Sequence, residues 1–271
     1  MSAVVSKVAP ITEKLTESYL RCIRDMERWS NKVAVVTGAS SGIGAALSIR
    51  LAENGMTVVG LARRAHLIDE LNSEVTGTGK IHSRQCDLSK VEEIKAAFEW
   101  VENKFGGTDV LVNNAGIFKG GKITDATDGK LSDEHILLTM DVNYKGLVMC
   151  TREAVGSMRK RNFNGHIINI NSVAGHYIPF HSDFNIYSST KHAVTAFSAA
   201  LLNEMADAKR KIKVTSISPG LVRTEMTITH DPEQPILEPG DIADAILYVI
   251  STPPNVNISE LEILSAAEKK L

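Results

Sequence analysis

The run Thr37-Gly38-Ala39-Ser40-Ser41-Gly42-Ile43-Gly44 connects a short apolar segment, predicted to be a β-strand, to a predicted helix. In such a strand–turn–helix unit, Gly38 permits a tight turn and Gly42 lets the backbone approach a pyrophosphate. Gly44 lets the helix pack closely on the strand, and the N-terminus of the helix faces the phosphates. The run therefore predicts a dinucleotide-binding turn. Because three residues separate its first two glycines, an ordinary glycine-rich turn remains the alternative.

Short β-branched segments alternate with longer helical segments along the rest of the chain. This alternation is typical of βαβ units, in which a parallel sheet is covered on both faces. The sequence therefore predicts an α/β fold, a Rossmann-type doubly wound parallel sheet of about seven strands with helices on both faces. The predicted strands are 32–37, 57–62, 81–86, 109–113, 166–171, 213–218 and 257–264, and the predicted helices are 42–54, 66–75, 91–105, 133–161, 187–210 and 241–251.

Length and composition exclude several other classes of protein. The 271 residues, of which 43% are hydrophobic and 23% charged, suit a globular chain with a sizeable core. A formal charge of −2 argues against a nucleic-acid partner. The three cysteines are odd in number and widely separated, which fits a reducing compartment, and the cysteine and histidine spacings predict no metal site. No apolar run is long enough to cross a bilayer and no secretory signal is evident, so we predict a cytoplasmic protein.

The first 30 residues form a segment of a different kind. Ile11, Leu15, Tyr19 and Ile23 recur at intervals of four, as on one face of an amphipathic helix. We therefore predict a helical N-terminal extension over 1–30 and a single Rossmann-type domain over 31–271. A terminal helix packed on the body or partly disordered is the preferred interpretation, and a membrane or partner helix is the alternative.

The end of the second predicted strand carries Arg63 and Arg64, about 20 residues beyond the glycine run. An acidic residue at this point would bind the ribose hydroxyls of NAD, and none is present. Two arginines could instead form charge-assisted bonds with a 2′-phosphate, which favours NADP. Solvation of a helix start is the alternative. After the third strand, Asp87 either contacts adenine beside Leu88 or caps the helix that begins near Val91.

Several of these motifs recur together in one known family. In chain order they are the glycine run 37–44, Asn113-Asn114-Ala115-Gly116, Asn143, Ser172, Tyr187-x-x-x-Lys191 and Pro219-Gly220. Together they resemble the classical short-chain dehydrogenase/reductase family from about residue 32 to residue 264. The stretches 26–29, 150–154 and 165–170 are further similar to its farnesol dehydrogenase-like branch.

Tyr187 and Lys191 lie one helical turn apart and therefore share a face. Hydride transfer at an alcohol needs a group that moves a proton on or off the oxygen. We expect the charge of Lys191 to lower the pKa of the Tyr187 phenol, so that Tyr187 serves as acid or base. The resemblance implies that Lys191 also holds the nicotinamide ribose, that Ser172 hydrogen-bonds the substrate oxygen and that Asn143 supports a proton-relay water.

The resemblance also implies a set of residues around the cofactor, with the backbone of Val222 at the nicotinamide carboxamide and Thr224 near the phosphates. The residues that we expect to bind it are Gly38, Ser40, Ser41, Gly42, Ile43, Gly44, Arg63, Arg64, Asp87, Leu88, Asn114, Ala115, Gly116, Tyr187, Lys191, Pro219, Gly220, Val222 and Thr224.

Ser172 and Tyr187 are separated by a longer interval than the family usually has, which predicts a small insertion in the loop 175–185 and leaves Asn171 as an alternative to Ser172. This loop is rich in aromatic side chains. We predict that it forms one wall of the substrate pocket, with His176, Phe180 and Phe184 as the candidate contacts.

The resemblance implies an NADP-dependent oxidoreductase that interconverts an alcohol and its aldehyde or ketone. An apolar prenyl alcohol such as farnesol is the leading predicted substrate, and carbonyl or hydroxysteroid reduction is the alternative within the family. A non-catalytic dinucleotide-binding sensor or scaffold is the alternative outside it. Relatives of this kind usually pair the helices predicted here at 133–161 and 187–210, so we also predict a homodimer or homotetramer.

Overall fold

The computed structural model describes residues 26–126, 128–179, 181–227 and 233–269. Its centre is a seven-stranded sheet in the order β3-β2-β1-β4-β5-β6-β7, and every pairing is parallel. The strands are β1 Val33–Thr37, β2 Thr57–Ala62, β3 Lys80–Gln85, β4 Val110–Asn113, β5 His166–Ile170, β6 Lys213–Pro219 and β7 Glu260–Ile263. The predicted doubly wound parallel sheet is confirmed, and each strand lies within two or three residues of its predicted position.

Helices cover both faces of the sheet. They are α1 Gly42–Glu53, α2 Ala65–Glu70, α3 Val91–Phe105, α4 Asp133–Met140, α5 Leu147–Lys160, α6 Asn185–Asp207 and α7 Pro239–Ser251. The predicted helix 66–75 is shorter than expected, because α2 ends at Glu70 and a 3-10 turn follows. The predicted helix 133–161 is interrupted, because a π-helical segment, Asp141–Gly146, separates α4 from α5. Such widened turns often lie at functional sites, and this one contains Asn143.

Two apolar layers hold the helices on the sheet. Successive residues of β1 point to opposite faces, so that Ala34 and Val36 join one layer while Val33 and Val35 join the other. Helices α1 and α7 pack on the first layer, and α3, α5 and α6 pack on the second. Because both faces are covered, the inner strands β1, β2 and β4 read as nearly continuous apolar runs, whereas the edge strands β3 and β7 carry charged residues. Cys86 and Cys150 are buried in the second layer as thiols.

The last residues of the predicted N-terminal extension contact the body of the protein. Trp29 is only 4% exposed, and its indole N–H donates to the carbonyl oxygen of Ile250 at 3.1 Å. The Arg28 guanidinium donates to the same carbonyl oxygen at 2.8 Å. Residues 1–25 of the predicted helical extension lie outside the described residues.

Parallel strands place all their carboxyl ends at one edge of the sheet. The order of the strands changes direction between β1 and β4, so the loops after these two strands diverge and leave a crevice at that edge. In the part of the chain that the structure describes, none of the helices is both long and apolar enough to cross a membrane.

Candidate active site

The glycine loop after β1 leaves space above the first turn of α1. Gly42 has a φ of +57°, which side chains rarely adopt, and a Cβ there would lie 3.0 Å from Cγ2 of Thr224. A Cβ on Gly44 would lie 2.4 Å from the carbonyl oxygen of Gly38, so the helix can approach the loop only with glycine at this position. Ser41 precedes α1 without capping it through its side chain. The first amides of α1 therefore remain available to an anion.

Thr37 ties the glycine loop to the loop after β4. Its hydroxyl oxygen accepts hydrogen bonds from the backbone N–H groups of Asn114 at 2.9 Å and Ala115 at 3.0 Å. The side-chain amide of Asn114 donates a hydrogen bond to the carbonyl oxygen of Thr37 at 2.9 Å. Asn114, Ala115 and Gly116 therefore border the crevice as a unit fixed to the glycine loop. Sequence reasoning did not single out Thr37 for this role, although a threonine at the end of β1 is visible in the sequence.

Asn143 projects from the π-helical segment and holds the chain beyond Gly116. Its amide oxygen accepts from the backbone N–H of Ile117 at 2.8 Å, and its amide nitrogen donates to the carbonyl oxygen of Ile117 at 2.9 Å. The nitrogen also donates to the hydroxyl of Thr190 on α6 at 3.2 Å. Asn143 thus connects three segments that line the crevice, and its part in a proton relay stays a prediction.

Ser172, Tyr187 and Lys191 come together beyond the end of β5. The Ser172 hydroxyl hydrogen-bonds Tyr187 and also accepts from the backbone N–H of Ala174 at 3.1 Å. The Lys191 ammonium lies 5.7 Å from the centroid of the Tyr187 ring and donates to the carbonyl oxygen of Ile170 at 2.8 Å. The alternative residue, Asn171, donates instead to Thr195 at 2.8 Å and does not join this group.

Burial controls the ionisation of this group. It raises the pKa of Tyr187 above its ordinary value, and the hydrogen bond from Ser172 only partly opposes the effect. Burial also lowers the pKa of Lys191 to about 8. The prediction that the lysine charge lowers the phenol pKa is therefore wrong in direction, because loss of water around the phenol outweighs any attraction from the ammonium group.

The two arginines lie at the exposed end of β2, beside the glycine loop. Arg64 forms an ion pair with Glu225 at 2.8 Å, and its guanidinium lies 3.4 Å from the hydroxyl of Ser41. Within the described residues Arg63 forms no ion pair, although its charge acts on Asp87. Burial by itself would raise the pKa of Asp87, but hydrogen bonds from Ser89 outweigh it and lower the pKa.

Asp87 does not cap the helix that follows it. Its carboxylate accepts from the backbone N–H of Ser89 at 3.0 Å and from the Ser89 hydroxyl at 2.8 Å. The residue at the N-cap of α3 is Lys90. The capping alternative is therefore wrong, because a turn closed by Ser89 keeps Asp87 back from the helix. Asp87 and Leu88 lie at the carboxyl end of β3, and their contact with adenine stays a prediction.

The segment after β6 crosses from the sheet edge to the glycine loop. The backbone N–H of Leu221, next to Pro219 and Gly220, donates to the Glu268 carboxylate at 3.3 Å. Val222 is 6% exposed and pairs with Leu237 in an isolated parallel bridge. This pairing holds the segment in the orientation that brings Thr224 against Gly42.

Aromatic rings form a wall beside Tyr187. Phe118 and Phe184 lie 4.7 Å apart between ring centroids, and their centroids are 5.5 and 6.1 Å from that of Tyr187. Sequence reasoning missed Phe118, whose position two residues beyond Gly116 was the available signal. His176 is held elsewhere, with its Nε2 2.9 Å from the Ser218 hydroxyl and 3.3 Å from the Glu260 carboxylate. Phe180 lies outside the described residues. Among the described residues, no group of three or more His, Cys, Asp or Glu side chains could hold a metal ion.

Comparison with known proteins gives a consistent set of relatives. Residues 32–235 match the short chain dehydrogenase family. The chain is 48% identical over 248 residues to a farnesol dehydrogenase from Aedes aegypti, covering 90% of this chain and 100% of the relative. It is 39% identical over 253 residues to dehydrogenase/reductase SDR family member 11 from Mus musculus, covering 88% and 95%. The solved alcohol dehydrogenase of Thermococcus sibiricus, complexed with 5-hydroxy-NADP, matches with a TM-score of 0.77 and 27% identity over 89% of this chain and 99% of that chain.

Proposed function

The chain belongs to the short chain dehydrogenase family and is an oxidoreductase, and we propose that it interconverts an alcohol and its aldehyde or ketone with NADP. The observation that carries the proposal is the hydrogen bond between Ser172 and Tyr187, with the Lys191 ammonium 5.7 Å from the Tyr187 ring. These are the groups that proton transfer at a substrate oxygen requires, and they meet at the crevice of the sheet.

We assign the proton transfer to the phenol oxygen of Tyr187. In oxidation it takes the proton of the alcohol hydroxyl, and in reduction it returns a proton to the carbonyl oxygen. The Ser172 hydroxyl orients the same oxygen of the substrate, while Lys191 holds positive charge beside the phenol. A nicotinamide dinucleotide, when bound, accepts or supplies the hydride.

The residues at the crevice fit such a dinucleotide. The Gly42 and Gly44 positions leave no room for a side chain, and the first amides of α1 face the space above the loop. Pyrophosphate is the group that this combination binds in dinucleotide folds. Asn114, Ala115, Gly116 and Val222 border the same crevice and are assigned to the nicotinamide end.

We assign NADP rather than NAD from the charge at the end of β2. Arg63 and Arg64 are both exposed there, and guanidinium groups suit a 2′-phosphate. The Thermococcus sibiricus relative in complex with 5-hydroxy-NADP supports the assignment. Changing both arginines to alanine should weaken NADP binding more than about tenfold and leave NAD binding nearly unaffected, as a lost charge-assisted contact predicts. Equal losses for the two cofactors would contradict the assignment.

We propose a prenyl alcohol such as farnesol as the substrate. The named activity of the Aedes aegypti relative supports it, as do the Phe118 and Phe184 rings beside Tyr187, which offer an apolar surface to a hydrocarbon chain. Phe184 and Phe180 remain the proposed substrate contacts of the loop, whereas His176 is no longer among them, because Ser218 and Glu260 hold its ring away from the aromatic wall. The test is a panel of prenyl alcohols, hydroxysteroids and aromatic ketones assayed with NADP and with NAD. Higher kcat/KM for a steroid than for any prenyl alcohol would contradict the substrate proposal.

We propose that the protein is a homodimer or homotetramer. Leu137 on α4 is 60% exposed, Met140 is 48% exposed, and Tyr144 in the π-helical segment is 36% exposed. Adjacent exposed apolar side chains are a frequent feature of subunit interfaces. A molecular mass of 29.4 kDa by light scattering, the mass of one chain, would contradict the proposal. The cytoplasmic location stays a prediction.

A further inference from the structure

An ion pair lies at the end of the crevice to which we assign the 2′-phosphate. Glu225 belongs to the 3-10 turn Glu225–Thr227, directly after Thr224. Its carboxylate accepts from the Arg64 guanidinium at 2.8 Å and also hydrogen-bonds the hydroxyl of Ser41. Arg64 follows β2, and Glu225 is 161 residues further along the chain. The contact therefore joins the loop after β2 to the loop after β6.

The two groups that hold this carboxylate are groups expected to bind the cofactor. Arg64 is assigned to the 2′-phosphate, and Ser41 belongs to the glycine loop. A carboxylate and a phosphate present the same kind of charged oxygen acceptor to a guanidinium. The Glu225 carboxylate thus occupies, from within the chain, a position in which an external anion would be bound.

We propose that Glu225 is a specificity-determining residue that competes with the 2′-phosphate of NADP for Arg64 and so limits the preference for NADP over NAD. The inference rests on the proposed use of NADP. NAD lacks the 2′-phosphate, so it can bind while Arg64 and Glu225 stay paired. NADP must separate the pair and then places its phosphate near a carboxylate of like charge.

Because the Arg64–Glu225 ion pair is exposed, it is weak enough for a phosphate to break. Arg64 is 47% exposed and Glu225 is 61% exposed at their side chains, so water and salt screen their attraction. A phosphate with a charge of roughly −1.5 to −2 displaces such a single carboxylate. The carboxylate therefore reduces NADP affinity without preventing binding.

The variant that tests the proposal is Glu225→Gln, which keeps the shape of the side chain and removes its charge. Its matched control is Asp244→Asn, which removes the carboxylate of another exposed ion pair. In that pair Nε of Arg50 lies 3.3 Å from Oδ1 of Asp244. Arg50 lies in the last turn of α1, at the opposite end of that helix from the glycine loop. Thermal unfolding of both variants checks that each is folded.

Isothermal titration with four probes separates the contributions. The probes are NADP, NAD, adenosine 2′,5′-bisphosphate and adenosine 5′-monophosphate, and the last two differ only by the 2′-phosphate. Glu225→Gln should tighten binding of NADP and of the bisphosphate by about twofold to fivefold, the range expected for removing an exposed competing charge. Binding of NAD and of the monophosphate should change less than about twofold, and Asp244→Asn should match the wild type throughout.

A variant that lacks the guanidinium, Arg64→Met, tests whether Arg64 is the group for which Glu225 and the 2′-phosphate compete. In Arg64→Met, the further change Glu225→Gln should raise NADP affinity by a smaller factor than in the wild type, because the competition for the guanidinium is gone and only the repulsion between carboxylate and phosphate remains. The proposal is overturned if Glu225→Gln behaves like Asp244→Asn, if it weakens NADP and NAD alike, or if its effect is as large with Met at position 64 as with Arg. If wild-type protein binds NAD as tightly as NADP and Glu225→Gln changes neither, the assignment of NADP fails as well. Wild-type preference for NADP without a response to Glu225→Gln overturns this inference alone.

Discussion

Asn143 and Ile117 are joined by two hydrogen bonds that satisfy both backbone groups of Ile117, at 2.8 Å for the N–H and 2.9 Å for the carbonyl. A second asparagine makes the same pair of bonds elsewhere: Asn72 accepts from the N–H of Ile81 at 3.0 Å and donates to its carbonyl at 2.8 Å. The two contacts use the same pair of backbone groups, although Asn143 is buried and Asn72 is exposed, and only the first lies beside Tyr187 and Lys191. This difference allows the structural and catalytic contributions of the contact to be separated.

We expect Asn143→Ala to lower the free energy of unfolding by about 1–3 kcal/mol, because it leaves the half-buried backbone groups of Ile117 without partners. It should also lower kcat, since the chain after Gly116 is no longer fixed. Asn72→Ala should lower stability by less, because Asn72 is exposed and water can replace its hydrogen bonds, and it should leave kcat unchanged. Denaturant unfolding and steady-state kinetics at saturating cofactor provide the measurements. Equal kcat values for the two variants would show that Asn143 has only a structural role.

We expect Tyr187→Phe to lower kcat by about 10²–10⁴-fold, because it removes the group assigned to proton transfer. Dinucleotide affinity measured by titration should change little. The control is Tyr248→Phe on α7, where the side chain is 60% exposed and far from the crevice. Activity of Tyr187→Phe within a few-fold of wild type would contradict the proposed role and would favour a binding protein without catalysis.

The close approach at Gly44 predicts a large effect of a single methyl group. In Gly44→Ala the new Cβ would meet the Gly38 carbonyl oxygen at 2.4 Å and the Asn114 amide nitrogen at 2.5 Å. Both loops must move, so we expect dinucleotide binding to weaken by more than about tenfold and stability to fall by about 1–3 kcal/mol. Gly156→Ala on α5 meets no atom within 4 Å and should raise stability slightly. Tight dinucleotide binding by Gly44→Ala would contradict the assigned site.

The buried lysine predicts a specific pH dependence of stability. The pKa of Lys191 is about 8 in the folded protein and 10.5 in its ordinary state, so the unfolded chain binds more protons between these values. The Lys191 contribution to stability therefore rises with pH across this window, by up to about 3 kcal/mol. Burial raises the pKa of Cys86 to about 12, which acts in the opposite direction above pH 9.

The lysine contribution is isolated by comparing wild type with Lys191→Met. Both proteins contain Cys86 and Cys150, so the cysteine contributions cancel in the difference between them. In denaturant unfolding without added dinucleotide, the unfolding free energy of wild type minus that of the variant should increase from pH 8 to pH 10.5. A constant difference across this range would contradict the lowered pKa.

The aromatic wall predicts selectivity for long apolar substrates. Phe118→Ala should raise KM for farnesol about fivefold to thirtyfold, because a partly buried ring contributes roughly 1–2 kcal/mol to an apolar contact. A short alcohol such as propan-2-ol reaches Tyr187 without touching the wall, so its kcat/KM should be unchanged. Equal losses for both alcohols would indicate that Phe118 supports Tyr187 rather than the substrate.

Much of the fold was readable from the sequence because it depends on local patterns. The period of apolar residues separates strands from helices, and glycines 38, 42 and 44 mark the turn between β1 and α1. Tyr187 and Lys191 share a helix, so their proximity follows from helical geometry alone. Once a parallel sheet is predicted, the carboxyl ends of its strands must meet at one edge, which gathers the motifs that follow them.

The tertiary structure decided the features that depend on contacts between distant segments. The ion pair between Arg64 and Glu225 and the widened turn that aims Asn143 at Ile117 leave no local pattern in the sequence. The position of Phe118 just beyond Gly116 is visible in the sequence, but the contact of its ring with Tyr187 is not. The direction of the Tyr187 pKa belongs to the same class, because it depends on how much water the folded chain excludes. Residue types and spacing determined which groups this protein has for its chemistry. Packing alone determined their charge states and their partners, because burial and long-range contact arise only when the whole sheet and its helices are assembled.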